Sequence, residues 1–178
     1  NINFGTAMVF YTISDSLTTN LTEDQIAGKH PVGKDYFLLN VESDFGMQMS
    51  WLKENFFKLG TYDQLFQTYN QYPKVDVRMP LSGDFDLNSV TEAEARQLCA
   101  GIIKYYLNRF QSHLEQIRKS VHLQNITMSG GMMNSPVWLE ILRRRLNHSF
   151  TINNRANAGL VGAVYIYLNN KKRKISHD

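Results

Sequence analysis

The sequence is poor in cysteine, in proline and in long apolar runs. Cys99 is the only cysteine among 178 residues, which excludes a disulfide framework and any zinc site built on several thiolates. Four prolines and eleven glycines are too few for a collagenous or low-complexity chain. The longest uncharged apolar run, Leu160 to Leu168, falls far short of the ~20 residues that span a bilayer, so no membrane partner is expected. The opening NINFGTAMVF lacks the basic, apolar and small-residue succession of a signal peptide. With a single thiol, that makes the cytoplasm the expected location. Charge of one sign is also scarce. The net charge is +3, and without Lys171-Lys172-Arg173-Lys174 it becomes −1. Such a cluster suits a solvated helix end, and no basic stripe with interleaved aromatics points to nucleic acid.

What is there is ordinary globular material: 43% hydrophobic, 12% aromatic and 20% charged residues. A chain of this length can bury roughly two thirds of its unfolded surface. One domain spanning residues 1–178 is expected. The chain opens with no regular element predicted before Ala7 to Ile13 (AMVFYTI), which reads as a strand. That abrupt start reads as a cut inside a larger protein or as a domain beginning at a linker. Asp35 to Val41 reads as the strand's hairpin partner, across a loop long enough for part of it to form a strand pair of its own. Gly46 to Phe57 and Tyr62 to Tyr72 read as helices.

The clearest helix runs from Glu92 to Lys119. Thr91 and Glu94 form a capping box, and Ala95, Leu98, Cys99, Ile102, Ile103, Tyr106, Phe110, Leu114 and Ile117 make one apolar stripe. Gln124 to Met128 reads as a strand. Ser135 as N-cap and Pro136 at the first helical position then open PVWLEILRRRLN. Ser149 to Ile152 reads as a strand and Gly159 to Leu168 as a last helix. The order is that of an α/β fold.

Two glycine elements are candidate sites. Gly5-Thr6 stands at the start of a strand, where glycine permits a tight turn and threonine offers a hydroxyl and an N–H. Taken alone, such a pair is most often an ordinary turn. Ser129-Gly130-Gly131-Met132-Met133-Asn134-Ser135 links a strand to a helix N-terminus. Anionic and nucleotide ligands sit at such turns in α/β folds, although the spacing is neither G-x-G-x-x-G nor a Walker loop. Asp24, Asp44, Asp63 and Asp84 are carboxylates in or near turns, where Asp is favoured anyway. Five histidines share no paired spacing, so metal ligation is not expected.

Taken together, the elements resemble the FGGY carbohydrate kinases, of the xylulokinase and gluconokinase type. NITMSGGMMNSPVWLEILRRRL resembles that family's adenosine motif through Ser129, Gly130, Gly131, Ser135, Pro136, Trp138, Ile141 and Leu142. NFGTAMVFYTIS resembles its second phosphate motif. SDFGMQMSWLKE resembles the G-G-x-x-x-x-W-L-R-D segment through Gly46, Trp51, Leu52 and Lys53. The capped helix with Gly101-Ile102 and the closing GLVGAVYIYL complete an ordered set over nearly the whole chain.

The resemblance implies an actin-like, ribonuclease-H-type α/β domain, a mixed central sheet flanked by helices. It implies that residues 1–178 are the C-terminal, nucleotide-binding half of a two-domain sugar kinase whose partner is the N-terminal domain of the same protein. It further implies ATP and Mg²⁺, the metal held mainly by phosphates and by that other half. Gly5 and Thr6 would meet the β- and γ-phosphates, Gly46 and the Gly130–Gly131 turn would border the nucleotide, and Ser135 would lie near adenine. No catalytic residue is expected here, because the family's Asp base lies in the N-terminal half. The substrate would be a sugar or sugar acid, and a homodimer stays open.

The departures are specific. Met132-Met133 replace a small pair, which makes the adenine pocket bulkier. Phe45 replaces a glycine, Glu140 stands where Gln is common, and Pro80 to Phe85 half-matches P-x-L-x-G-E-R. A non-catalytic nucleotide-binding or interaction module of the same fold is the alternative that these departures keep open.

Overall fold

Every second residue of the central strands points to the same side, and that alternation sorts the sheet into two faces. In the computed structural model, residues 1–57, 60–81, 86, 90–146 and 149–153 are described. The closing segment 159–168, the basic cluster 171–174, Asp84, His148 and His177 lie outside them, as does most of Pro80 to Phe85.

Six strands form one mixed sheet: β1 (Ile2–Phe4), β2 (Met8–Ser14), β3 (Gln25–Lys29), β4 (Tyr36–Glu42), β5 (Ile126–Ser129) and β6 (Phe150–Ile152), in the order β3-β4-β2-β1-β5-β6. β2 pairs with β4 antiparallel from Met8↔Glu42 to Ser14↔Tyr36, and β3 pairs with the far side of β4. β1 is antiparallel to β2 and parallel to β5, which is parallel to β6. This is the α/β architecture with a mixed central sheet that the sequence predicts.

Two readings are corrected here. A strand precedes Gly5, so Gly5-Thr6 is a hairpin turn between β1 and β2 and not the start of the first element. The long loop contributes β3, which pairs with β4 rather than with a loop partner of its own. The fifth strand is Ile126–Ser129, set slightly later than Gln124 to Met128. The physical reason is pairing: Ile2 and Asn3 lie opposite Met128 and Ser129.

The helices are α1 (Phe45–Phe57), α2 (Tyr62–Gln71), α3 (Glu92–Ser120) and α4 (Pro136–Arg145), with a 3₁₀ turn at Gly131–Asn134. Capping boxes open both α2 (Thr61, Gln64) and α3 (Thr91, Glu94). The α3 stripe packs on one sheet face, where Phe4, Met8, Phe10, Leu38 and Met128 are buried with Cys99, Ile103, Tyr106, Leu107 and Phe110. Burial of each such side chain stabilises by about 1.5–3 kcal/mol. Leu98 departs from the expectation. It is only half-buried, at the margin of the core, while Leu107 and His113 are buried on the same helix.

Gly101, in mid-helix, is needed by packing. A Cβ there would stand 2.7 Å from the Asp76 carbonyl oxygen and 2.6 Å from Arg78 Cγ. The extended segment 76–78 lies against it, and the Arg78 N–H donates to the Gly101 carbonyl at 3.1 Å.

A polar network crosses the core between β4 and α3. Arg109 Nε donates to Glu42 Oε2 at 2.6 Å, and the same guanidinium reaches Asp24 at 2.7 Å. His113 Nε2 lies 3.1 Å from Glu42 Oε2, and Asn40 Nδ2 donates to Gln116 Oε1 at 2.9 Å. Burial alone would raise the Glu42 pKa. The hydrogen bonds from His113 and Arg109 outweigh it and hold that carboxyl below the usual range.

Candidate functional site

Three chain segments converge at one end of the sheet. The first is the β1–β2 turn, closed by the Gly5 N–H donating to the Ala7 carbonyl at 3.1 Å. The second is the start of α1. The Gly46 N–H donates to the Thr6 carbonyl at 2.8 Å, and a Cβ on Gly46 would lie 2.0 Å from the Gly5 carbonyl oxygen. Only glycine lets the helix approach the turn this closely. The first turn of α1 carries no acidic residue, and Asp44 stands immediately before it, its carbonyl accepting from the Gln48 N–H at 2.8 Å.

The third segment joins β5 to α4. Gly130 has φ +108°, which an L side chain rarely adopts, and its Cβ would lie 2.3 Å from the Phe4 carbonyl oxygen. Gly131 differs: nothing lies within 4 Å of its Cβ position. Met132 and Met133 follow and are buried at 4% exposure each. Ser135 caps α4 as its residue type predicts, accepting from the Trp138 N–H at 3.1 Å, and its hydroxyl donates to Asp63 Oδ1 of α2.

A cavity of about 350 Å³ opens between these segments. Gly5 and Thr6 line one side, Gly46 and Ser50 of α1 another, and Gly131 and Met132 a third, with Tyr62 of α2 completing the wall. The Tyr62 hydroxyl and Ser50 hydroxyl are 2.8 Å apart, and Lys53 Nζ stands 4.8 Å above the Tyr62 ring. Four of the six candidate residues thus share one cavity: Gly5, Thr6, Gly46 and Gly131. Gly130 and Ser135 do not line it. Gly130 packs against β1 behind the wall, and Ser135 ties α4 to α2.

Among the described residues, no Asp, Glu, His, Lys or Arg lines the cavity. Of the candidate carboxylates, Asp24 pairs with Arg109, Asp63 accepts from Ser135, and Asp44 precedes α1. Arg143 and Arg144 are exposed, while Arg145 donates to the Tyr69 hydroxyl. Burial pushes the Cys99 thiol up to about 12, which makes it unreactive. Among the described residues, no group of three or more His, Cys, Asp or Glu is placed to hold a metal ion. No described helix is long and apolar enough to cross a membrane.

Three lining residues escaped the sequence reading. Ser50 lies one helical turn after Gly46, so the four-residue spacing could have marked it. Met47 follows from its neighbour. Tyr62 carries no local signal, because α2 brings it across from a different helix.

No family model matches the sequence, and no curated protein sequence does. Solved structures do match. The xylulose kinase from Rhodospirillum rubrum superposes with a TM-score of 0.72 at 17% identity, over 96% of this chain and 38% of that one. The ligand-bound xylulose kinase from Lactobacillus acidophilus gives 0.72 at 14%, over 99% and 39%. The gluconate kinase from the same organism gives 0.71 at 13%, over 99% and 39%. The chain therefore spans well under half the length of these kinases, and it has the α/β fold that they share over that span.

Proposed function

We propose that this chain is the C-terminal, nucleotide-binding domain of an FGGY carbohydrate kinase. In the full-length protein it would bind ATP for transfer of the γ-phosphate to a hydroxyl of a sugar or sugar acid, ketopentoses and gluconate being the first candidates. The observation that carries this reading is the meeting of Gly5-Thr6, Gly46 and Gly131, from three separate segments, around one cavity on a fold shared with solved sugar kinases.

Phosphoryl transfer depends on positioning and charge neutralisation more than on covalent help from the protein. Thr6 would give its hydroxyl and N–H to the phosphates, and the α1 N-terminus would complement their charge. Gly131 would border the nucleotide, and Gly130 and Ser135 would hold that turn in shape, Ser135 nearest the adenine end. Mg²⁺ would sit on the phosphates and on residues of the N-terminal domain. That domain would also supply the base for the sugar hydroxyl.

A coupled ADP assay tests the reading. The isolated 178-residue chain should show no sugar-dependent turnover, and the full-length protein should show it. In the latter, Thr6→Ala should lower kcat/KM by about 10-fold or more, since a hydrogen bond to a charged group contributes about 1.5–3 kcal/mol. Turnover by the isolated chain would overturn the assignment of the base, and unchanged kinetics would remove Thr6 from the site. ATP binding by the full-length protein without turnover on any sugar would mark a nucleotide-binding module instead.

A further inference from the structure

Two adjacent residues of α2 reach two different helices. The Tyr62 hydroxyl lies 2.8 Å from the Ser50 hydroxyl of α1, and Lys53, three residues further along α1, holds its ammonium 4.8 Å from the centre of the Tyr62 ring. Asp63 accepts from the Ser135 hydroxyl at the start of α4. The capping box of Thr61 and Gln64 fixes the helical turn that presents both side chains. Beneath them Tyr62 stacks with Phe66 at 6.0 Å, and Phe66 stacks with Trp138 of α4 at 4.5 Å. Ser50 and Tyr62 line the cavity, as do Gly131 and Met132 of the turn that leads to Ser135, whereas Asp63 does not.

We propose that Asp63 is a positioning residue for this site: with its neighbour Tyr62 it braces the α4 side of the cavity against the α1 side. The inference rests on the nucleotide reading above, and it assigns no part of a ligand to any wall residue. The start of α1 is fixed to the β1–β2 turn by the Gly46 N–H, which donates to the Thr6 carbonyl at 2.8 Å. The turn into α4 comes from a separate segment. Its own hydrogen bonds, Met133 N–H to the Gly130 carbonyl and Ser135 N–H to the Met132 carbonyl, shape that turn but do not tie it to α1. The core joins the two helices through the Phe45 and Trp138 rings at 6.0 Å. Apolar contact of that kind is non-directional, whereas hydrogen bonds set distance and angle. Ser50–Tyr62 and Asp63–Ser135 stand in series on one helical turn and act as a single brace. Cutting either one releases the same constraint.

Titration calorimetry of the full-length protein with ATP tests this on wild type, Asp63→Ala, Asp63→Asn, Tyr62→Phe and the variant carrying both Asp63→Ala and Tyr62→Phe. Thermal melts identify folded protein. Asp63→Ala and Tyr62→Phe should each weaken ATP binding about fivefold, the scale of one hydrogen bond. The double variant should also lose about fivefold, where independent sites would multiply to about 25-fold. Asp63→Asn should bind within about twofold of wild type, because its amide oxygen accepts the same hydrogen bond. If Asp63→Ala has no cooperative transition, Asp63→Ser, shorter than Asp and suited to a helix start, replaces it alone and in the double variant. Wild-type affinity in the folded Asp63 truncation overturns the positioning role. Losses that multiply in the double variant overturn the single brace. Asp63→Asn as weak as the truncation shows charge acting in place of the tie and overturns the proposal as well. Each of these leaves the nucleotide reading standing. Wild-type protein that binds no ATP overturns that reading, and this inference with it.

Discussion

The glycines in and behind the cavity wall look alike in sequence and differ in structure. Two have no room for a side chain, and two have more. Gly46 and Gly130 are pinned against backbone, at 2.0 Å from the Gly5 carbonyl oxygen and 2.3 Å from the Phe4 carbonyl oxygen. Gly5 has a side-chain oxygen of Asn3 at 3.3 Å and the Ala7 carbonyl oxygen at 4.0 Å, and Gly131 has nothing within 4 Å. A glycine in a phosphate-type motif can thus hold the scaffold together or keep space clear for a ligand. Substitution tells which, because the first kind moves stability and the second moves binding.

Substitutions at these positions test the division, and the largest effect belongs to Gly46→Ala. Its methyl group would meet the backbone of both Gly5 and Thr6, so the variant should lose more than about 3 kcal/mol or fail to fold, read by chemical denaturation. Gly130→Ala comes next, combining a positive φ with contact against β1. A loss of about 2–4 kcal/mol is expected from strain and crowding together. Ser135→Ala should cost about 1 kcal/mol through the α4 cap and should also release Asp63 from its partner.

A pH series sharpens the comparison on the Gly46 side, since Glu42 closes the strand that leads into α1. Its folded pKa lies below the ordinary value, so its stabilisation is present above the unfolded pKa. That stabilisation is lost as pH falls below the ordinary carboxylate range and through the lower folded value. The gap in melting temperature between wild type and Glu42→Gln should close as pH falls through that window. The smallest effect is Gly131→Ala, which should stay within about 0.5 kcal/mol of wild type. A large loss of stability there would break the distinction between the two kinds of glycine.

The sequence shows most of the helices and the candidate wall because both depend on local signals. Thr91 and Glu94 mark the start of α3 through spacing alone, and Ser135-Pro136 does the same for α4. Thr61 and Gln64 obey the same capping rule and could have been read in the same way. β1 could not. Ile2–Phe4 is three residues long, and its strand character comes from pairing with β2 and β5, far away in sequence. β3 is an edge strand of mostly polar and small residues, QIAGK, which resembles a loop until β4 is set beside it. In the cavity, Gly5, Thr6 and Gly131 are legible by residue type and Gly46 through the resemblance, whereas Tyr62 arrives only through the packing of α2. The reading that Ser135 lies near a base rests on resemblance, and its hydroxyl is held by Asp63 and the Trp138 N–H.

The network under β4 constrains how this chain can vary. Glu42 accepts from Arg109 and lies against His113, Asp24 shares Arg109, and Asn40 and Gln116 complete the set. Exchange of a single member for an apolar residue strands a buried charge or donor, which is costlier than exchanging all of them together. The positions therefore behave as a linked group under mutation, with single steps penalised and joint replacement tolerated. In related sequences they should be found kept together or lost together, an inheritance pattern set by solvation alone and independent of what the cavity binds.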